Sequence, residues 1–184
     1  MTRRSFLVGT DFSRQASVAV RRAAQLAAQH GADLHLVHAY ESVSMRVLAR
    51  LGLKPDTVAA LEAKARKRLE HVALSLRNQG LRVTTHLAKG GPLAALEGVA
   101  KRSGARLVIV GARGERSLRN TAFGSTAERA LETLPRDVLA VRRPSIQPHA
   151  RMLVCLDGSR DSVAVLRAAK RLCPGARTWA VHAF

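Results

Sequence analysis

Between Gly111 and Thr126 the sequence reads Gly-Ala-Arg-Gly-Glu-Arg-Ser-Leu-Arg-Asn-Thr-Ala-Phe-Gly-Ser-Thr. An apolar run, Leu107-Val108-Ile109-Val110, leads into Gly111, and Ser125-Thr126-Ala127-Glu128 follows Gly124 in the pattern of a capping box. The order is therefore strand, basic glycine-punctuated loop, helix start. Glycine lets backbone N–H groups approach an anion with no Cβ in the way. A helix N-terminus adds unpaired donors and the positive end of its dipole. Arg113, Arg116 and Arg119 face one opposing Glu115 within the loop. The chemistry this suggests is a phosphate cradle, with Ser125 as the expected N-cap and its hydroxyl beside the same phosphates. The alternative is a surface loop whose glycines serve only turns and a cap. Neither common phosphate motif is present: no Gly-x4-Gly-Lys-Ser/Thr occurs, and Gly111-x-x-Gly114 has the wrong spacing for the dinucleotide fingerprint.

Elements that would hold this loop alternate along the chain. Strands are expected over residues 6–10, 34–39, 81–87, 106–110 and 137–141. Residues 14–30 are Ala-rich without Gly or Pro and should be helical, with Ser13 as N-cap and Gly31 as the stop. Residues 57–78 form an amphipathic helix in which Leu61, Ala65, Leu69, Val72 and Leu76 recur at spacings of three and four. A short helix is expected over residues 45–51, and another helix starts at Pro92, after Gly90-Gly91. Alternating β and α at this spacing implies an open parallel five-stranded sheet with helices on both faces. In such sheets the ligand crevice opens beyond the C-terminal strand ends, where strand order reverses. The turn at Thr10-Asp11 and the loop at Gly111 would both open there.

The spacing Gly-x2-Gly-x9-Gly-Ser, met by Gly111, Gly114, Gly124 and Ser125, resembles the ATP-binding pattern of the universal stress protein family. Phe6-Leu7-Val8-Gly9-Thr10, followed by Asp11-Phe12-Ser13, resembles that family's first strand and its Thr-Asp-Phe-Ser turn, and Leu36-Val37-His38-Ala39 resembles the end of its second strand. The likeness runs over roughly residues 4–143. It implies an adenine nucleotide alpha hydrolase-like fold and a site in which Gly111, Gly114, Gly124, Ser125 and Thr126 meet the phosphates. Asp11 would meet the ribose hydroxyls, Ala39 would border adenine, and Thr10 and Arg113 would contribute a hydroxyl and a charge. The implied function is binding of ATP or a related adenine nucleotide in a regulatory, stress-response role. Mg²⁺ would travel with the nucleotide, since no carboxylate cage for it is visible. From the residues alone, Asp11 has a second reading as a helix-capping partner of Ser13, Thr10 one as filler of the strand end, and His38 one as a packing residue.

The expected domains are residues 1–143, a linker over 144–150, and a partial β-α-β copy over 151–184. Met152-Leu153-Val154-Cys155-Leu156-Asp157-Gly158-Ser159 echoes residues 6–13, Ser162-Val163-Ala164-Val165 repeats Ser17-Val18-Ala19-Val20, and Val181-His182-Ala183-Phe184 repeats Val37-His38-Ala39-Tyr40. The copy leaves apolar strands unpaired, so a homodimer is expected, with residues 138–141 and the C-terminal copy at or near the interface.

Composition narrows the classes. Aromatics make up only 3% of the 184 residues, so the core must be aliphatic. No apolar window approaches the length of a membrane span. Cys155 and Cys173 have no metal-ligand spacing, and with no secretory signal after Met1 a cytoplasmic location is expected. The formal charge is +18, from 31 Lys+Arg against 13 Asp+Glu, but the cations are spread along helices rather than gathered in a tail. Nucleic acid binding should therefore be weak and non-specific. The other functional classes are a nucleotide-independent scaffold or polyanion binder and a weak ATPase; no base or metal-binding carboxylate beside the loop favours the latter.

Overall fold

The computed structural model describes residues 4–40, 55–113, 123–144 and 147–182. The chain divides into two compact units, Met1–Pro144 and Ser145–Phe184. The first contains β1 (Ser5–Gly9), α1 (Arg14–His30), β2 (Asp33–Tyr40), α2 (Pro55–Arg77), β3 (Val83–Lys89), α3 (Pro92–Ser103), β4 (Leu107–Gly111), α4 (Ser125–Thr133) and β5 (Asp137–Val141). The expected helix over residues 45–51 lies outside the described residues.

All five strands are parallel, in the order β3-β2-β1-β4-β5. A parallel sheet is covered on both faces, so its central strands read as unbroken apolar runs rather than alternating ones. Phe6, Leu7 and Val8 of β1 and Leu107 to Val110 of β4 are all buried accordingly. Leu7, Val37, Val108 and Val110 pack against Leu96 and Val99 of α3 and Ala127 and Ala130 of α4. On the opposite pleat Phe6 meets His30 of α1 edge-on. α1 therefore covers one face, and α3 with α4 the other.

Local chemistry sets the helix ends. The Ser13 hydroxyl accepts from the Ala16 N–H at 3.0 Å, and Gly31 closes α1 in the left-handed region (φ 58°). Pro92 sits in the first turn of α3. α2 begins two residues earlier than expected, at Pro55, and its inward stripe holds except at the start: Leu69 and Leu76 are buried, joined by Ala73, and Ala65 and Val72 are half-buried, whereas Leu61 is 60% exposed. Glu62, one position on, accepts from the Tyr40 hydroxyl at 2.9 Å. That bond turns Glu62 toward β2. β3 lies two residues later than expected because it pairs with β2 out to Tyr40↔Lys89.

Beneath α3, His35 on β2 and His86 on β3 share a hydrogen bond, Nδ1 to Nε2 at 3.0 Å. Burial, first of all, holds both imidazoles below their ordinary value; Asp33 opposes the shift at His35, and Arg102 adds to it at His86. The bond needs at least one neutral acceptor nitrogen. Folded-state values below the unfolded ones mean that the unfolded chain binds more protons, so the stability is present in full above the unfolded value of about 6.5 and is lost as pH falls through the folded values. Thermal melts between pH 8 and pH 5 should show a falling midpoint below pH 6.5, and His86→Gln should flatten that slope. An unchanged slope would remove the pair as its source.

The second unit contains β6 (Arg151–Leu156), α5 (Ser162–Leu172) and β7 (Arg177–His182), with the strands parallel. Leu153 pairs with Trp179 and Cys155 with Val181. Leu153, Trp179 and Val181 are exposed, while Val154, Cys173 and Ala176 are buried.

Candidate functional site

β1 and β4 are neighbours, yet the helices that follow them leave on opposite faces, so their C-terminal ends diverge. This is the switch point of the sheet. The turn after Gly9 and the end of β4 at Gly111 both lie there.

The turn is fixed by its own hydrogen bonds. The Thr10 N–H donates to the Val37 carbonyl at 2.8 Å, and the Thr10 hydroxyl accepts from the Phe12 N–H at 3.0 Å. The Asp11 carboxylate accepts from the Ser13 N–H through Oδ1 at 2.9 Å, an Asx turn that leads into the Ser13 cap. Both readings of Asp11 are therefore compatible: one oxygen serves the turn, and the side chain is exposed at the crevice. His38 donates from Nδ1 to the Thr10 carbonyl at 2.7 Å, which ties the end of β2 to the turn. Ala39 stands beside it, half-buried and paired with Ala88.

Phe12 carries a positive φ of 62°, the only such non-glycine among the described residues. That conformation costs an L-residue about 1–2 kcal/mol. The ring packs on His38, with centroids 4.3 Å apart, and the Arg68 guanidinium lies 4.6 Å over it. Neither Phe12 nor Arg68 stood out in the sequence. The available signal was in the repeat, where Gly158 occupies the place of Phe12 and has φ 76°.

The second unit builds the same turn. Asp157 Oδ1 accepts from the Ser159 N–H at 2.9 Å, and His182 donates to the Leu156 carbonyl at 2.8 Å. The hydrogen bonds from Ser159, together with one from the Ser162 hydroxyl, pull the Asp157 carboxyl down to about 2. The likeness between the copies is thus one of backbone geometry as well as sequence.

On the β4 side, Gly111 is required by packing. A Cβ there would lie 3.1 Å from the Arg113 carbonyl oxygen and 3.2 Å from that of Gln15, in the first turn of α1. The glycine brings α1 and the end of β4 into backbone contact and so sets the two segments side by side. The Ala112 N–H donates to Val141, and the Ala112 carbonyl accepts from the Gly124 N–H, each at 2.8 Å. Gly124 is thereby fastened to the end of β4. Gly114, with Arg116 and Arg119, lies outside the described residues.

The start of α4 differs from the expected capping box. Gly124, not Ser125, is the N-cap, with extended backbone (φ −83°, ψ 157°) and a carbonyl that accepts from the Glu128 N–H at 3.0 Å. The bond from Gly124 to Ala112 fixes the boundary one residue earlier. Ser125 becomes the first helical residue and Glu128 the fourth, and no side chain caps the helix. The N–H groups of Ser125, Thr126 and Ala127 consequently have no intrahelical acceptor. Arg113, two residues after Gly111, is half-buried, and its Nε is buried with no hydrogen-bond partner among the described residues. Among the described residues no side chain accepts from these donors, an arrangement suited to an anion. Among the described residues no group of three or more His, Cys, Asp or Glu side chains could hold a metal ion, and no helix is long and apolar enough to cross a membrane.

The sequence matches the universal stress protein family over residues 2–142. No curated protein matches it. Among solved structures it is similar to the universal stress protein UspA from Lactobacillus plantarum, at 25% identity over 77% of this chain and 100% of that one, with a TM-score of 0.62. It shares its fold with a universal stress protein in complex with cAMP (24% identity, 77% of this chain and 98% of that one, TM-score 0.58). The same holds for a universal stress protein from Archaeoglobus fulgidus in complex with dAMP (20% identity, 77% and 100%, TM-score 0.57).

Proposed function

The chain belongs to the universal stress protein family, and on that premise we propose that it binds ATP or a related adenine nucleotide at the switch point, in a regulatory role. The observation that carries this reading is the uncapped start of α4, fastened to the end of β4 through Gly124 and Ala112. Its N–H groups at Ser125, Thr126 and Ala127 meet the phosphates, with the helix dipole adding to them. The Arg113 guanidinium supplies charge beside Gly111. Asp11 accepts from the ribose hydroxyls, on an exposed carboxylate already oriented by the Ser13 N–H. Ala39 borders the adenine, and Thr10 acts by holding the turn. Mg²⁺ arrives on the nucleotide rather than in a protein cage. Two neighbours of the same fold are complexes with the adenine nucleotides cAMP and dAMP, which supports the choice of base. Native mass spectrometry of the gently purified protein tests the reading. A retained mass equal to an adenine nucleotide is expected; a retained ligand of another class would overturn it.

The protein acts as a homodimer in this proposal. β5 is an edge strand, and Val138, Leu139 and Ala140 are only half-buried within one copy. Pairing of two β5 edges covers them, and association also removes Leu153, Trp179 and Val181 from water. Sedimentation equilibrium should give a dimer for the full chain at tens of micromolar and a weaker one for a chain ending at Pro144. A monomeric full chain would refute the dimer, and equal dimerisation of the shorter chain would leave β5 as its whole cause.

A further inference from the structure

The Asp157 turn of the second unit shows what the Asp11 turn needs and what it does not. Both have the Asx bond to the serine N–H, the left-handed residue after the aspartate and the histidine bond to the strand-end carbonyl. In the second unit the left-handed residue is Gly158, which takes that conformation without strain. The turn closes there without any aromatic residue. Phe12 therefore occupies the strained position for some reason other than closing the turn.

Its contacts indicate the reason. The ring packs against the tilted His38 imidazole and under the Arg68 guanidinium, and Arg68 Nη2 also donates to the Phe12 carbonyl at 3.3 Å. Arg68 is itself held in place, because α2 is fastened to the sheet on both sides of it. Glu62 accepts from Tyr40 at 2.9 Å, and Glu70 accepts from Thr85 at 3.2 Å and from Arg77. The stack thus joins α2, the turn and β2 at the residue that follows Asp11.

We propose that Arg68 and Phe12 are positioning residues for Asp11: the Arg68–Phe12–His38 stack locks the turn so that the Asp11 carboxylate is held toward the ribose hydroxyls. The proposal rests on the nucleotide reading above and adds residues to it, including one from α2. The fork of the guanidinium matters as much as its charge, because one group both lies over the ring and donates from Nη2 to the Phe12 carbonyl. A lysine at 68 keeps the charge and loses that geometry.

The test is a double-mutant cycle read by calorimetry with ATP and with 2′,3′-dideoxy-ATP, which lacks both hydroxyls. Arg68→Ala and Phe12→Gly should each weaken ATP binding roughly three- to tenfold, the range for one hydrogen bond, and leave the dideoxy nucleotide unchanged. Arg68→Lys should behave like Arg68→Ala. In an Asp11→Ala background neither change should have any further effect, since the residue they act through is gone. Phe12→Gly copies the second unit's own solution, so the fold is kept even if an Arg68 variant fails to express. The inference is overturned if Arg68→Ala weakens both nucleotides equally, if its effect survives in the Asp11→Ala background, or if Arg68→Lys restores full affinity. Each of these would make Arg68 a direct charge on the phosphates. Failure of the wild type to bind ATP at all would instead remove the nucleotide reading itself.

Discussion

Gly124→Val should cost at least about a hundredfold in ATP affinity, because the helix start loses its approach to two or three phosphate hydrogen bonds at once. The Gly124 backbone is extended, at φ −83° and ψ 157°. Valine adopts that conformation without backbone strain. A branched Cβ would stand at the point where Gly124 is fastened to Ala112 and the N–H groups of α4 begin. Calorimetric titration of wild type and variant measures the effect, with far-UV circular dichroism to establish that the variant is folded. Equal affinity in the folded variant would take the phosphates away from α4.

The second large effect is on stability. Gly111→Ala places its Cβ within 3.1 to 3.3 Å of the Arg113 and Gln15 main chain. Main-chain atoms cannot swing aside as a side-chain end can. Either α1 or the end of β4 must shift, at about 1–3 kcal/mol, which is the usual range for overpacking. Urea unfolding should show a lower midpoint at unchanged slope. A change within about 0.5 kcal/mol, the size typical of ordinary surface substitutions, would mean that the contact relaxes freely. Because the same contact sets α1 against the glycine loop, the variant should also bind ATP less well.

These two glycines show what the sequence could disclose. Their spacing marked them, together with Ser125, as a set. It did not separate Gly111, which brings α1 against β4, from Gly124, which starts a helix. Both roles depend on partners about 96 and 12 residues away, Gln15 and Ala112. The helix boundary moved for the same reason. Ser125-x-x-Glu128 satisfies the capping box locally, but the bond from Gly124 to Ala112 is a tertiary one, and it decided the position. Where no tertiary contact competed with the local signal, the reading was accurate. Ser13 and Gly31 bound α1, Pro92 starts α3, and the apolar runs of β1 and β4 became the centre of the sheet.

Periodicity found α2 and most of its inward face: Leu69 and Leu76 are buried, Ala65 and Val72 half-buried, and Leu61 alone of the stripe is exposed. The stripe beginning at Leu61 was sound as a pattern, but its first member is exposed beside Glu62, which accepts from Tyr40. Arg68 was invisible for a related reason. It sits in a run of cations, Arg66 to Arg68, and nothing in that run says which one reaches Phe12. The one usable hint was Gly158, whose position in the repeat foretells a left-handed backbone at Phe12. Comparison of the two copies thus carried more information about the turn than either copy alone.

The reading of the molecule turns on whether an adenine nucleotide occupies the crevice between β1 and β4. Calorimetric titration of nucleotide-stripped protein with ATP and, separately, with GTP tests this most directly. Saturable one-to-one binding of ATP, much weaker binding of GTP, and a marked loss of ATP affinity in Asp11→Ala are expected. No heat of binding at millimolar ATP, or equal affinity for the two nucleotides with Asp11→Ala unaffected, would contradict it.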